Sequence, residues 1–151
     1  MRWEWLALSA LVSVAAADPQ ASTLRSYAVE GDGIAASLTG QAGDAARGAQ
    51  LMQQRQKSLC LLCHSGPFPD PHLHGTIGPD LKGVGSRMSV GQLRLRIVDM
   101  KRLNPTSIMP TYYAIATSGD DSRIAAGWRD KPILNADEIE DLVAYLHTLQ
   151  Q

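Results

Sequence analysis

The clearest apolar rhythm lies at the C-terminal end. Ile139, Leu142, Val143, Leu146 and Leu149 recur three and four positions apart, which places them on one face of a helix. Asn135-x-x-Glu138 precedes them with the spacing of a reciprocal capping box, and Asp137 and Glu138 suit the positive end of that helix. A second capping box, Ser89-x-x-Gln92, opens a segment in which Leu93, Ile97, Met100 and Asn104 line up, apolar at the first three. Pro105 stops it. A third helix is predicted from Asp44, a good N-cap, through Gln54, with Ala45, Gly48, Leu51 and Met52 on a smooth face. Residues 65–86 are rich in Gly and Pro, and the stretch from Asn104 to Leu134 holds Pro105, Pro110 and Pro132, so both read as loops. Nothing alternates convincingly with period two. The predicted fold class is all-α with long loops, and such loops in a small domain imply that they wrap around something.

The N-terminal pattern is of another kind. After a short charged start, an apolar run extends from Trp5 to about Ala17 and ends in Ala15-Ala16-Ala17. The run is roughly 13 residues where a spanning helix needs about 20, and the small residues suit a signal peptidase. Residues 1–17 are therefore expected to be a cleaved secretion signal. Residues 18–43 are small and polar and read as an extended, weakly structured arm, leaving 44–151 as the domain. The 151 residues include 14 Lys and Arg against 15 Asp and Glu, a net charge of -1 that argues against a nucleic-acid or polybasic membrane binder. The 2 cysteines cannot staple a secreted scaffold, so a core, a cofactor or both must hold it.

Those cysteines carry the chemistry. Cys60-Leu61-Leu62-Cys63-His64 is the attachment signature of c-type haem, in which each sulfur adds to a vinyl group and the histidine becomes the proximal iron ligand. Three rivals use the same residues. A thioredoxin-type dithiol wants a βαβ setting that this pattern lacks, and a disulfide here would close too small a ring to stabilise much. A zinc site could add His72 or His74, yet its ligand pairs are usually spaced further apart. For the sixth ligand, Met52 lies on the first helix and Met100 on the stripe of the second, where packing explains them. Met88 adjoins a helix start. His72 and His74 are close in sequence to His64 and would have to cross the haem plane, and His147 reads as a solvated side chain of the last helix. Met109 stands in the proline-flanked loop Asn104-Pro105-Thr106-Ser107-Ile108-Met109-Pro110.

Gly78-Pro79-Asp80-Leu81-Lys82-Gly83-Val84-Gly85-Ser86-Arg87 resembles a segment of class I cytochromes c. The resemblance implies that fold, with helices and loops around one covalently bound haem. It also implies that the Pro79 carbonyl accepts the His64 ring N–H, that Leu81 packs on the haem edge and that Arg87 reaches a propionate. Loops like that of Met109 carry the distal methionine in that class.

More of the chain is similar to a narrower family. Ser37-Leu38-Thr39-Gly40, Gly43-Asp44-x-x-Arg47-Gly48, the haem motif continuing through Ser65-Gly66-Pro67-Phe68-Pro69, Gln92 to Arg96, Ile108-Met109-Pro110-x-Tyr112-Tyr113 and Lys131-Pro132-Ile133-Leu134 resemble the SoxX family. These are the small monohaem subunits of SoxAX thiosulfate-oxidising cytochrome complexes. The resemblance implies a periplasmic heterodimer with a SoxA-type cytochrome, which together acts as an L-cysteine S-thiosulfotransferase that joins thiosulfate to a cysteine of the SoxYZ carrier. This chain would accept the electrons and pass them to a downstream cytochrome c. Both of its thiols are consumed by haem, so the sulfur chemistry belongs to the partner. A freestanding periplasmic shuttle is the main alternative, though near-neutral charge and only Lys57, Lys82, Lys101 and Lys131 give it little of the lysine ring that steers such carriers. A zinc or dithiol module without haem is the remaining one.

Overall fold

A computed structural model describes residues 24–115 and 131–151; the expected signal segment and residues 116–130 lie outside it. Among the described residues the regular structure is helical, with an isolated bridge between Glu30 and Gly33 as the sole β pairing. Helix α1 spans Ala45–Gln53, capped by the Asp44 side chain, which accepts from Arg47 N–H. The one-turn α2 spans Val84–Arg87, α3 Val90–Asp99 and α4 Ala136–Thr148. Both capping boxes read from the pattern are present with both legs formed, at Ser89/Gln92 and Asn135/Glu138.

Helices α1 and α4 cross in close contact. A Cβ on Gly48 would lie 2.0 Å from the Asp141 carbonyl oxygen, so a side chain there would push the helices apart. Leu51 and Met52 of α1, Leu93, Leu95, Ile97 and Val98 of α3, and Ile139, Leu142, Val143 and Leu146 of α4 make the shared core.

The structure differs from the pattern in three places. Helix α3 ends at Asp99, and Met100–Arg102 forms a 3-10 turn, so Met100 and Asn104 do not continue its stripe. The cause is local: the Asp99 carboxylate accepts the Lys101 N–H at 3.1 Å and recaps the chain. Residues 65–86 hold a 3-10 turn at Pro71–Leu73 as well as α2, both too short to leave a periodic signal. The arm also has a packing role that its composition hides. Ile34 and Leu38 are buried, and a buried ion pair holds this stretch to the helices.

That pair is Arg94 of α3 with Glu140 of α4, joined twice at 2.7 and 2.8 Å. Glu140 also accepts Leu38 N–H at 2.8 Å, and Arg94 donates to the Ile34 carbonyl at 2.6 Å. Every charge is thus matched by backbone partners from the arm, the condition under which a buried pair is tolerated.

Candidate functional site

Helix α1 runs out at Gln53, and Leu59, in the left-handed region at φ 61°, turns the chain into a 3-10 turn at Cys60–Leu62. Cys63 N–H and His64 N–H both return to the Cys60 carbonyl, at 3.1 and 2.9 Å. The two cysteines and the histidine therefore share one turn of backbone. Both thiols are free and half-buried. Burial pushes the Cys60 thiol up, with its Sγ 3.4 Å from the Ser58 carbonyl. A redox dithiol needs the opposite shift, because the thiolate is its nucleophile.

The loop from Gly75 to Leu81 closes over this turn. Gly75 N–H donates to Leu61 O at 2.9 Å, Gly78 N–H to Cys63 O at 2.8 Å and Leu81 N–H to Ser65 O at 2.9 Å. His64 Nδ1 lies 2.8 Å from the Pro79 carbonyl oxygen. A carbonyl can only accept, so the proton is on Nδ1 and the lone pair is left on Nε2. The ring lies so close to the loop that a Cβ on Gly78 would fall 2.5 Å from its Cε1.

Asp80 fastens the loop from within. Its carboxylate accepts the Lys82 N–H at 2.6 Å and the Ser65 hydroxyl at 2.8 Å, and these bonds, the backbone one foremost, hold it below the usual carboxylate range. The Arg87 guanidinium donates to the carbonyls of Asp80, at 3.1 Å, and of Lys82. Its observed work is therefore to brace the loop. Leu81 is half-buried against the core.

Met109 is half-buried, packs against the core and donates its N–H to the Ser107 hydroxyl at 3.2 Å. Of the other methionines described, Met52 is fully buried while Met88 and Met100 are half-buried. His72 and His147 are exposed; His74 Nε2 meets the Pro69 carbonyl at 2.9 Å. Among the described residues no group of three or more His, Cys, Asp and Glu could hold a metal, so the zinc reading finds no ligand set there. What remains is two free thiols one turn apart beside an imidazole with one nitrogen satisfied and the other available. This donor set fits a thioether-bound haem.

A family model described as cytochrome c matches residues 45–150. This chain belongs to the cytochrome c family. The cytochrome carries one covalently bound haem c, held through Cys60 and Cys63 in the family's manner, and its chemistry is one-electron transfer. No curated protein matches its sequence. Among solved structures, the cytochrome is similar to a chain in the crystal structure of SoxXA from P. pantotrophus, with 33% identity and a TM-score of 0.72. That match covers 83% of this chain and 95% of the other. No described helix of the cytochrome is long and apolar enough to cross a membrane.

Sequence reasoning passed over Asp80 and Tyr112, which brace the site, and Arg94, which holds the arm to the helices. Arg94 carried no signal: it reads like its neighbour Arg96, and its partner Glu140 lies 46 positions away. Asp80 and Tyr112 carried none either: Asp80 accepts from Lys82 N–H beside it and from the Ser65 hydroxyl 15 positions back, and Tyr112 donates to a backbone carbonyl 54 positions away.

Proposed function

We propose that this cytochrome is the electron-transfer subunit of a SoxAX-type complex. The observation that carries the reading is the breadth of the structural match. At 83% of the chain and 33% identity it is wider than the cytochrome domain at 45–150, so the likeness is not confined to the part shared by cytochromes at large.

In this reading residues 1–17 direct export to the periplasm and are removed, 18–43 is the arm, and 44–151 is the haem domain. Cys60 and Cys63 form the thioethers, His64 binds iron through Nε2, and Met109 is the distal ligand. The Pro79 carbonyl fixes the imidazole, Leu81 lies on the haem edge, and Arg87 serves a propionate with the N–H groups its two carbonyls leave over. A neutral thioether favours Fe(II), which suits an electron acceptor of comparatively high potential.

A SoxA-type cytochrome is the fixed partner and holds the sulfur-reactive haem. There a sulfur–sulfur bond forms between thiosulfate and the thiol of a SoxYZ cysteine, which releases two electrons and one proton. The complex is thus an L-cysteine S-thiosulfotransferase. This chain accepts the electrons one at a time and passes them to a downstream cytochrome c.

The test is to purify the tagged protein from the periplasm of its native host and stain a denaturing gel for covalent haem. A second haem protein should accompany it. A red monomer without a partner would replace this reading by that of a freestanding shuttle. Met109→Ala should abolish the sulfur-to-ferric-iron charge-transfer absorption; persistence of that band would remove Met109 from the iron.

A further inference from the structure

Met109 stands in a segment without a helix, so the bonds that fix it must come from elsewhere. Thr111 Oγ1 donates to Asp99 Oδ1 at 3.0 Å, Tyr113 N–H to Val98 O at 3.3 Å, and Leu134 N–H to the Tyr112 carbonyl at 3.1 Å. These tie the segment to the end of α3 and the approach to α4. The Tyr112 side chain points the other way. The residue is 3% exposed, and its hydroxyl donates to the Ser58 carbonyl at 2.5 Å, across 54 positions of sequence.

Ser58 is fully buried and lies two residues before Cys60. Its own hydroxyl is 3.3 Å from the carbonyls of both Met52 and Gln54, which fixes the turn leaving α1. The Ser58 carbonyl also receives Cys60 Sγ at 3.4 Å, so one acceptor serves the phenol and the first cysteine. A thioether has no S–H, and attachment at Cys60 leaves that carbonyl to Tyr112. Burial pushes the phenol far above its ordinary value, so it remains a donor.

We propose that Tyr112 is a positioning residue for the distal ligand: its buried hydroxyl ties the loop that bears Met109 to the backbone that bears the haem attachment. This rests on the reading of Met109 as an iron ligand. A thioether holds ferric iron weakly, so a loosened loop shows first in the oxidised state.

The test uses the ferric holoprotein with imidazole as the competing ligand. Tyr112→Phe keeps the ring and removes the hydroxyl. One net hydrogen bond is worth a factor of about five in the balance between methionine bound and displaced. Imidazole should therefore bind the variant roughly fivefold tighter, and the charge-transfer band should bleach at lower pH than in the wild type. Tyr113→Phe, which removes the neighbouring hydroxyl that accepts the Arg25 N–H, should bind imidazole as the wild type does. Equal imidazole affinity in Tyr112→Phe, or an equal gain in Tyr113→Phe, overturns the proposal. Should Tyr112→Phe not accumulate with haem, the wild type decides. Its Tyr112 hydroxyl proton should exchange with solvent about fivefold faster once imidazole displaces methionine, and unchanged exchange overturns the role. A wild type without the charge-transfer band removes the Met109 assignment and this proposal together. The band with unaltered affinities removes Tyr112 alone.

Discussion

Gly78 decides where the His64 ring can lie. With no Cβ it lets the loop backbone approach the imidazole until a methyl group there would fall 2.5 Å from Cε1 and 2.7 Å from Nδ1. That approach brings the next carbonyl, that of Pro79, within 2.8 Å of Nδ1. Nδ1 is held by the carbonyl, and with Nε2 on iron, as proposed above, the ring could not simply step aside in the loaded protein. Gly78→Ala should therefore strain both contacts. Overpacking of this kind costs about 1–3 kcal/mol, read as a lower denaturant midpoint of the haem-loaded protein, together with a shift in reduction potential as the carbonyl bond lengthens. A variant with the wild-type midpoint and potential would mean that the loop relaxes freely. The motif containing Gly78 and Pro79 was legible in the sequence through its resemblance to class I cytochromes c. Why the glycine is needed becomes visible only when the ring and the backbone are placed together.

At the scale of elements, the described molecule is three longer helices and the arm that crosses them. The Arg94–Glu140 pair is where these parts meet, since it joins α3 to α4 and supplies partners to Leu38 N–H and the Ile34 carbonyl. Removing one member strands a buried charge and unpairs an arm backbone group. Arg94→Met and Glu140→Leu should each destabilise the holoprotein by about 3–5 kcal/mol, and the double variant by less than their sum. Both single variants should also expose residues 24–43 to proteolysis. Single variants within about 1 kcal/mol of the wild type, near the value of exposed pairs, would sink this account. The helices themselves were legible: their starts are set by Asp44, Ser89 and Asn135, whose capping bonds are local and so are written in neighbouring residues. The end of α3 at Asp99, the one-turn α2 and the binding of the arm were not. A recapping side chain, a helix of four residues and a buried pair between positions 94 and 140 leave no periodic trace.

For the whole molecule, two carboxylates mark where acid should act. Asp44 is held below the usual carboxylate range chiefly by the Arg47 N–H that it caps, and Asp80 chiefly by the Lys82 N–H and then by Ser65. The first fastens the start of α1, and the second fastens the loop that carries Pro79. A carboxyl group whose folded pKa is depressed binds fewer protons in the folded state than in the unfolded one over the interval between the two values. Its contribution is present in full above the unfolded value of about 3.9 and is lost as pH falls through the folded value. The same descent neutralises the other acidic groups of a chain with 14 Lys and Arg, so net charge turns strongly positive and self-repulsion adds to the loss. Denaturant midpoints should fall steeply below about pH 4. Asp44→Asn with Asp80→Asn isolates the first cause from the second, because an Asn side chain still accepts the capping N–H groups but does not titrate. The double variant should follow a shallower slope below about pH 4 while keeping its helical signal at neutral pH. A slope identical to that of the wild type would assign the acid sensitivity to general charge repulsion, and these two bonds would then have no part in it.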